Sequence, residues 1–172
     1  TGVLPIALGE ATKLTGRMLD ASKAYDFTIA FGVETDGLDA EGAVVALNDA
    51  NAPTGSGFWH WVVSNIPASA SGLPAGAGTG QGVLPKGAVV GTTDFLNTGA
   101  TGAGGYGGPC PPQGHGVHSY TFTLFALKAP DIFQAAGIPT TGTAALTGFV
   151  LNHGLGPNVL GKASFTATYD RP

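Results

Sequence analysis

Apolar and polar positions alternate with a period of two along five stretches of this chain: Tyr25 to Val33, Ala43 to Leu47, Trp59 to Val63, His118 to Leu127 and Ala163 to Tyr169. All five are rich in Val, Thr, Phe, Tyr and Trp, so they predict strands. Between them lie TDGLDAEG, NAPTGSG, PASASGLPAGAGTGQG, NTGATGAGGYGGPCPPQGHG and NHGLGPN, each dense in the residues that form turns. Helical candidates are few and late. They are Ala129 to Ala136 and Thr143 to His153, the second preceded by Thr140 and Thr141 as N-cap candidates and ended by Gly154. The pattern predicts a mainly β core with long loops and short helices packed on a sandwich. Ser69 to Gly82 has the composition of a flexible linker. Neither side of it holds enough alternating sequence to bury both faces of a sheet, so it reads as a surface loop and residues 1–172 as one domain.

Composition narrows the function. Glycine (29) and proline (12) make up about a quarter of the 172 residues, twice the usual share, while the 43% of hydrophobic residues supply a core. Charged residues are only 10% and the net charge is −4, which argues against a nucleic-acid partner because counterion release needs a basic surface. No apolar stretch is long enough to span a membrane, so the chain reads as soluble. Cys110 is the one cysteine, which excludes an internal disulfide and a multi-cysteine zinc site. The start at Thr1 and the scarcity of charge lean toward an exported protein, with a cytoplasmic one left open.

Charge is also unevenly placed. No Lys or Arg occurs between Lys23 and Lys86, where Asp26, Glu34, Asp36, Asp39, Glu41 and Asp49 lie. From Phe95 to Leu127 there is no Asp, Glu, Lys or Arg, so the titratable groups of that stretch are Tyr106, Cys110, His115, His118 and Tyr120. Two segments concentrate candidate chemistry. In the first, Asp49 ends the apolar run AVVAL, and His60 stands between Trp59 and Trp61, where strict alternation sets it on the face opposite both indoles. In the second, a rigid Gly/Pro-rich loop precedes His118 and Tyr120, which are two apart and share a strand face. Loop amides, a phenol and protonatable imidazoles together suit a small anion, held less well as pH rises above about 7.

Other chemistry is weaker. His115 and His118 with Asp49 could supply three zinc ligands, but the two histidines have opposite parity in an extended segment, so no metal is expected. Cys110 as a nucleophile would need a histidine placed by the fold rather than by spacing. GATGAGGYGG contains the GxGxxG spacing without the strand-to-helix unit a dinucleotide site requires. Nothing calls for a cofactor.

The blocks DANAPTGSGFWHWVVSNIP (Asp49 to Pro67), LPAG (Leu73 to Gly76), GYGGPCPPQGHGVHSYTFTLFAL (Gly105 to Leu127) and FTATYDR (Phe165 to Arg171) resemble, in order and spacing, the phosphatidylethanolamine-binding protein family, in its bacterial Raf-kinase-inhibitor-like branch. The resemblance implies an antiparallel Greek-key β-sandwich with peripheral helices and one small pocket for phosphate-type anions, phospholipid head groups included. Carried over position by position, it implies a pocket lined by Asp49, His60, His118 and Tyr120, with Pro53, Trp59, Gly108, Cys110 and Pro112 as walls. Three departures stand out. Asn51 replaces the second carboxylate and Ala50 a proline in the family's DPDAP. Ser119 replaces the arginine of HRY, which leaves the neighbourhood without a fixed cation. The SPPLxW block before the aspartate is absent, and residues 1–48 carry no match.

The expected function is a soluble protein binding a small anionic or phosphorylated molecule in a pre-formed pocket. The alternative is an enzyme whose Asp49, His60 and His118 move protons in an isomerisation, cyclisation or elimination. A protein partner is a third reading, for which the charge-poor surface offers no interface.

Overall fold

The computed structural model describes residues 29–30, 41–78, 82–96 and 106–172. The expected strand from Tyr25 to Val33 and most of the acidic stretch lie outside these residues, apart from a two-residue strand β1 (Ile29–Ala30). The other expected strands are present, and most run longer: β2 (Gly42–Asp49), β3 (Phe58–Pro67), β6 (His118–Leu127) and β7 (Val159–Tyr169). Two short strands, β4 (Gly72–Leu73) and β5 (Val89–Val90), fall in the loops. One antiparallel sheet has the order β5-β3-β2-β6-β7, and β1 pairs separately with β4. Among the described residues that two-residue ladder is all there is of a second sheet.

Strand β2 lies at the centre and is buried on both faces, which is why AVVAL reads as a continuous apolar run. Its even-numbered Val44 and Ala46 pack with Val62, Phe125 and Leu127 beneath a helical layer contributed by Ile132, Phe133, Ala144, Val150, Leu151 and Leu155. Its odd-numbered Val45 and Leu47 pack with Trp61, Val63, Ile66, Tyr120 and Phe122 on the other face. Two apolar faces on one sheet account for the burial of most of the large hydrophobic side chains.

Strand β3 departs from plain alternation twice. Ala43 pairs with Ile66 but Val45 with Val63, and Leu47 pairs with Trp61 but Asn48 with Trp59, so β3 carries one extra residue at each step. At the first, Asn65 adopts a positive φ of 56°, a conformation asparagine tolerates, and its Oδ1 accepts from the N–H of Ile132 at 3.0 Å. At the second, the extra residue is His60. The bulge turns Trp59 toward Val62 and Phe125 while Trp61 packs with Tyr120 on the opposite face. His60 lies on that second face, its ring 5.2 Å from Tyr120. The expectation that His60 faces away from both indoles is corrected accordingly.

Helix α1 (Ile132–Ala136) is capped by Asp131, whose side chain accepts from two backbone N–H groups, and ends at Gly137 in the left-handed region. Helix α2 (Ala144–Phe149) runs into a π turn at Val150–Gly154. Its cap is Thr143, with Oγ1 accepting from Leu146 at 3.1 Å, and not Thr140 or Thr141. The turn closed by Gly142 N–H on Pro139 C=O, pinned by Thr92 Oγ1 on Gly142 C=O, holds residues 139–142 out of helical geometry. Among the described residues no helix is long and apolar enough to cross a membrane.

Candidate functional site

Register assembles the polar cluster. Asp49 is the last residue of β2, and its two cross-strand partners are Phe58 on β3 and Tyr120 on β6. His118, two residues before Tyr120, falls on the same face, and the β3 bulge delivers His60 beside Tyr120. Asp49, His60, His118 and Tyr120 are only 3%, 4%, 3% and 1% exposed, so each polar group has been taken out of water and needs a partner.

The hydrogen bonds fix which atoms carry protons. Asp49 Oδ2 accepts from His118 Nδ1 at 2.7 Å, and Oδ1 accepts from the N–H of Asn51 at 2.9 Å. A carboxylate can only accept, so the proton sits on Nδ1 and Nε2 is the ring nitrogen turned away from the carboxylate. His60 and Gly107 bond reciprocally. His60 Nδ1 donates to Gly107 C=O at 2.9 Å, and Gly107 N–H donates to His60 C=O at 3.1 Å. The His60 ring is enclosed edge-on by Phe58, Phe95 and Tyr120, each 5.2 Å away. Burial therefore pushes its pKa below the ordinary 6.5, so at neutral pH it is uncharged with a lone pair on Nε2.

This neutral burial has a measurable consequence. The unfolded chain takes up a proton on His60 near pH 6.5 while the folded chain does not, so the unfolded state binds more protons and stability falls as pH drops through that value. Urea midpoints at pH 7.5 and 5.5 are expected to show a smaller acid-side loss in His60→Gln than in the parent. Equal losses in the two proteins would contradict the assignment.

Tyr120 keeps its proton. Burial first, then the Asp49 carboxylate, raise its pKa, and its hydroxyl is buried without a well-formed hydrogen bond. It is a donor held ready inside the cluster.

The remaining positions named from sequence are not all brought here. Gly108 adjoins His60 through its backbone, and Cys110 is exposed on the same loop. Pro112 is exposed, its carbonyl accepting from His115 N–H at 3.2 Å, whereas the adjacent Pro111 is buried. Pro53 is exposed in the turn after β2. Trp59 places its indole on the other face of the sheet, and its backbone N–H donates to Asp94 Oδ2 at 2.7 Å. The bulge at His60 is the reason. Asn51 and Ser119, two of the departures from the family pattern, meet each other: Asn51 Oδ1 accepts from Ser119 N–H at 2.9 Å and ties the β2–β3 turn to the start of β6.

Two residues escaped the sequence reading. Gly107 anchors His60, and a Cβ there would come within 2.2 Å of the Phe95 ring, so the position demands glycine. Arg171 corrects the expectation that no fixed cation lies nearby. The β6–β7 register pairs His118 with Tyr169 and so carries residue 171 to the loop before β6, where Nη1 donates to Cys110 Sγ at 3.6 Å and Pro111 C=O at 3.5 Å. Gly114 N–H on Arg171 C=O at 2.8 Å holds the tail in place. A separation of about sixty residues hides this pairing from any local signal. His115 stacks loosely on His118 with 6.2 Å between rings, and no group of three metal-ligating side chains occurs among the described residues.

Comparison with known proteins bears on the family of this chain. YbcL of Escherichia coli is 42% identical over 127 residues, covering 73% of this chain and 62% of that protein. YbhB of Escherichia coli is 40% identical over 126 residues, covering 73% and 70%. The chain thus spans about two thirds of the length of these curated relatives. A shorter stretch of 53 residues is 72% identical to part of a tRNA pseudouridine synthase B of Novosphingobium aromaticivorans, but covers 31% of this chain and 17% of that enzyme. The crystal structure of Escherichia coli YbcL superposes with a TM-score of 0.67 at 36% identity, over 84% of this chain and 79% of that one. The family model described as phosphatidylethanolamine-binding protein matches residues 4–170, which corrects the expectation that residues 1–48 carry no match. With its fold, its ordered blocks and nearly its whole length in agreement, the chain belongs to the phosphatidylethanolamine-binding protein family.

Proposed function

We propose that this protein binds a small phosphate-type anion at the cluster of Asp49, His60, His118 and Tyr120, with Gly108, Cys110 and Arg171 at its rim. The observation that carries the reading is the buried 2.7 Å bond between Asp49 and His118. Asp49 holds the proton on Nδ1 and leaves Nε2 for the ligand, where an imidazolium Nε2–H donates to an anionic oxygen. Tyr120 adds a neutral donor. His60, uncharged and bonded through Nδ1, offers the opposite function: its Nε2 accepts from a hydroxyl. One acceptor beside several donors matches a phosphate that carries both a P–OH and charged oxygens. Arg171 supplies the fixed charge that Ser119 does not.

Calorimetry with inorganic phosphate and with sulfate at pH 6.5 tests this. Phosphate is expected to bind more tightly than sulfate, which has no proton to give His60. His118→Ala is expected to lower affinity for both by about tenfold or more, and His60→Ala to remove the preference. Arg171→Met should weaken both anions alike. Unchanged phosphate affinity in His118→Ala would overturn the assignment. The same oriented imidazole is the geometry of a general base, so a proton-transfer enzyme is the second reading; a product of unchanged mass formed in a metabolite extract would establish it.

A further inference from the structure

On the face of the sheet turned away from this cluster, a cavity of about 290 Å³ lies between the strands and α2. Its floor is Ala46 and Asn48 of β2, Trp59 and Val62 of β3, and Thr121, Thr123 and Phe125 of β6; Gly148 and Leu151 stand over it and Lys162 of β7 closes one side. We infer that this cavity is a second binding site, for a fused-ring aromatic carboxylate.

The volume and the walls set the body of the ligand. Trp59, Val62, Phe125 and Leu151 form an apolar chamber, and a cavity of about 150 Å³ already holds a benzene molecule, so roughly twice that volume admits two fused rings. Gly148 keeps the chamber open next to Trp59, since a Cβ at that position would stand 3.1 Å from the indole. The polar groups on its walls are donors. Asn48 Nδ2 is buried without a hydrogen-bond partner. Lys162 Nζ bonds only the neutral Asn152 Oδ1, at 3.1 Å, and stands 5.5 Å over the Phe125 ring. Among the described residues no carboxylate is recorded against it. Asn152 is itself braced, donating to Gly148 C=O at 2.8 Å, so the ammonium is held at the cavity edge rather than swinging in solvent. The Lys162 ammonium, with no counter-charge of its own, is the partner a ligand carboxylate would take at the cavity edge.

The probe is 2-naphthoate, titrated by calorimetry into the full chain and followed by the indole N–H signals of the two tryptophans. One site is expected, with the Trp59 signal shifting and the Trp61 signal, on the opposite face, still. Lys162→Met, at an exposed position that leaves the core intact, is expected to weaken 2-naphthoate by about threefold to tenfold. It should leave binding of 2-naphthalenemethanol, which lacks the charge, unaltered. Phosphate binding at the Asp49 cluster should also be unaltered. Thr123→Leu, which fills the chamber, is expected to abolish binding of both aromatic probes. The proposal falls if 2-naphthoate gives no heat, if it shifts Trp61 rather than Trp59, or if Lys162→Met binds it as tightly as the parent.

Discussion

Asp49→Ala is expected to lower stability by about 2 to 4 kcal/mol, because two donors, His118 Nδ1–H and Asn51 N–H, lose their acceptor while His118 remains 3% exposed. For a chain of 172 residues that is a fall of about 5 to 15 °C in melting temperature. Asp49→Asn separates the two jobs of the carboxylate. Its amide oxygen can still accept from Asn51 N–H, while its NH2 faces His118 Nδ1 and forces that nitrogen to accept. The proton of the neutral ring then moves to Nε2, and an imidazolium form would have no counter-charge at Nδ1. Most of the stability should return, but phosphate affinity should stay at least about tenfold below that of the parent. Imidazole ¹⁵N shifts of His118 report the tautomer directly. A melting temperature unchanged in Asp49→Ala, or an unaltered His118 tautomer in Asp49→Asn, would refute the role given to the pair.

Gly107→Ala is the second large effect, and it acts by crowding. The added methyl would lie 2.2, 2.4 and 2.6 Å from three carbons of the Phe95 ring, far inside van der Waals contact, so the ring or the loop must shift. Overpacking of this kind costs about 1 to 3 kcal/mol. If the loop shifts, both hydrogen bonds between Gly107 and His60 are lost, and the acceptor geometry of His60 with them. Phe95→Leu removes the obstacle, so the double variant should regain much of what Gly107→Ala loses, with a coupling of about 1 kcal/mol or more in urea unfolding. Strict additivity of the two substitutions would show that the loop was not wedged against Phe95. A parent-like phosphate-over-sulfate preference in Gly107→Ala would show that His60 does not depend on it.

How much of this was legible beforehand depended on the range of the interaction. Alternation in HSYTFTLFAL located β6 and put His118 and Tyr120 on one face, because parity in a strand is a property of neighbouring residues. The same rule failed at Trp59-His60-Trp61. Whether a strand bulges depends on its pairing with β2, and the extra residue sends the first indole to the helical side. This is also why Trp59, named as a wall of the anion pocket by resemblance, lines the opposite cavity instead. The helix cap shifted from Thr140 or Thr141 to Thr143 for a similar reason: a turn closed at Gly142 and anchored by Thr92, fifty residues away, decides where the helix can begin.

The sequence by itself determined the family, the mainly β character, the central apolar strand and the membership of Asp49, His60, His118 and Tyr120 in one cluster. These follow from short-range patterns and from ordered blocks with their spacing. Only the tertiary structure decided the hydrogen bonding within that cluster, the glycine that anchors His60 and the arrival of Arg171 beside Cys110 and Pro111. It also decided the donor-lined cavity behind the sheet. Each of these rests on register and packing between segments far apart in the chain, where distances of a few tenths of an ångström decide whether a bond forms, and no local pattern encodes such distances.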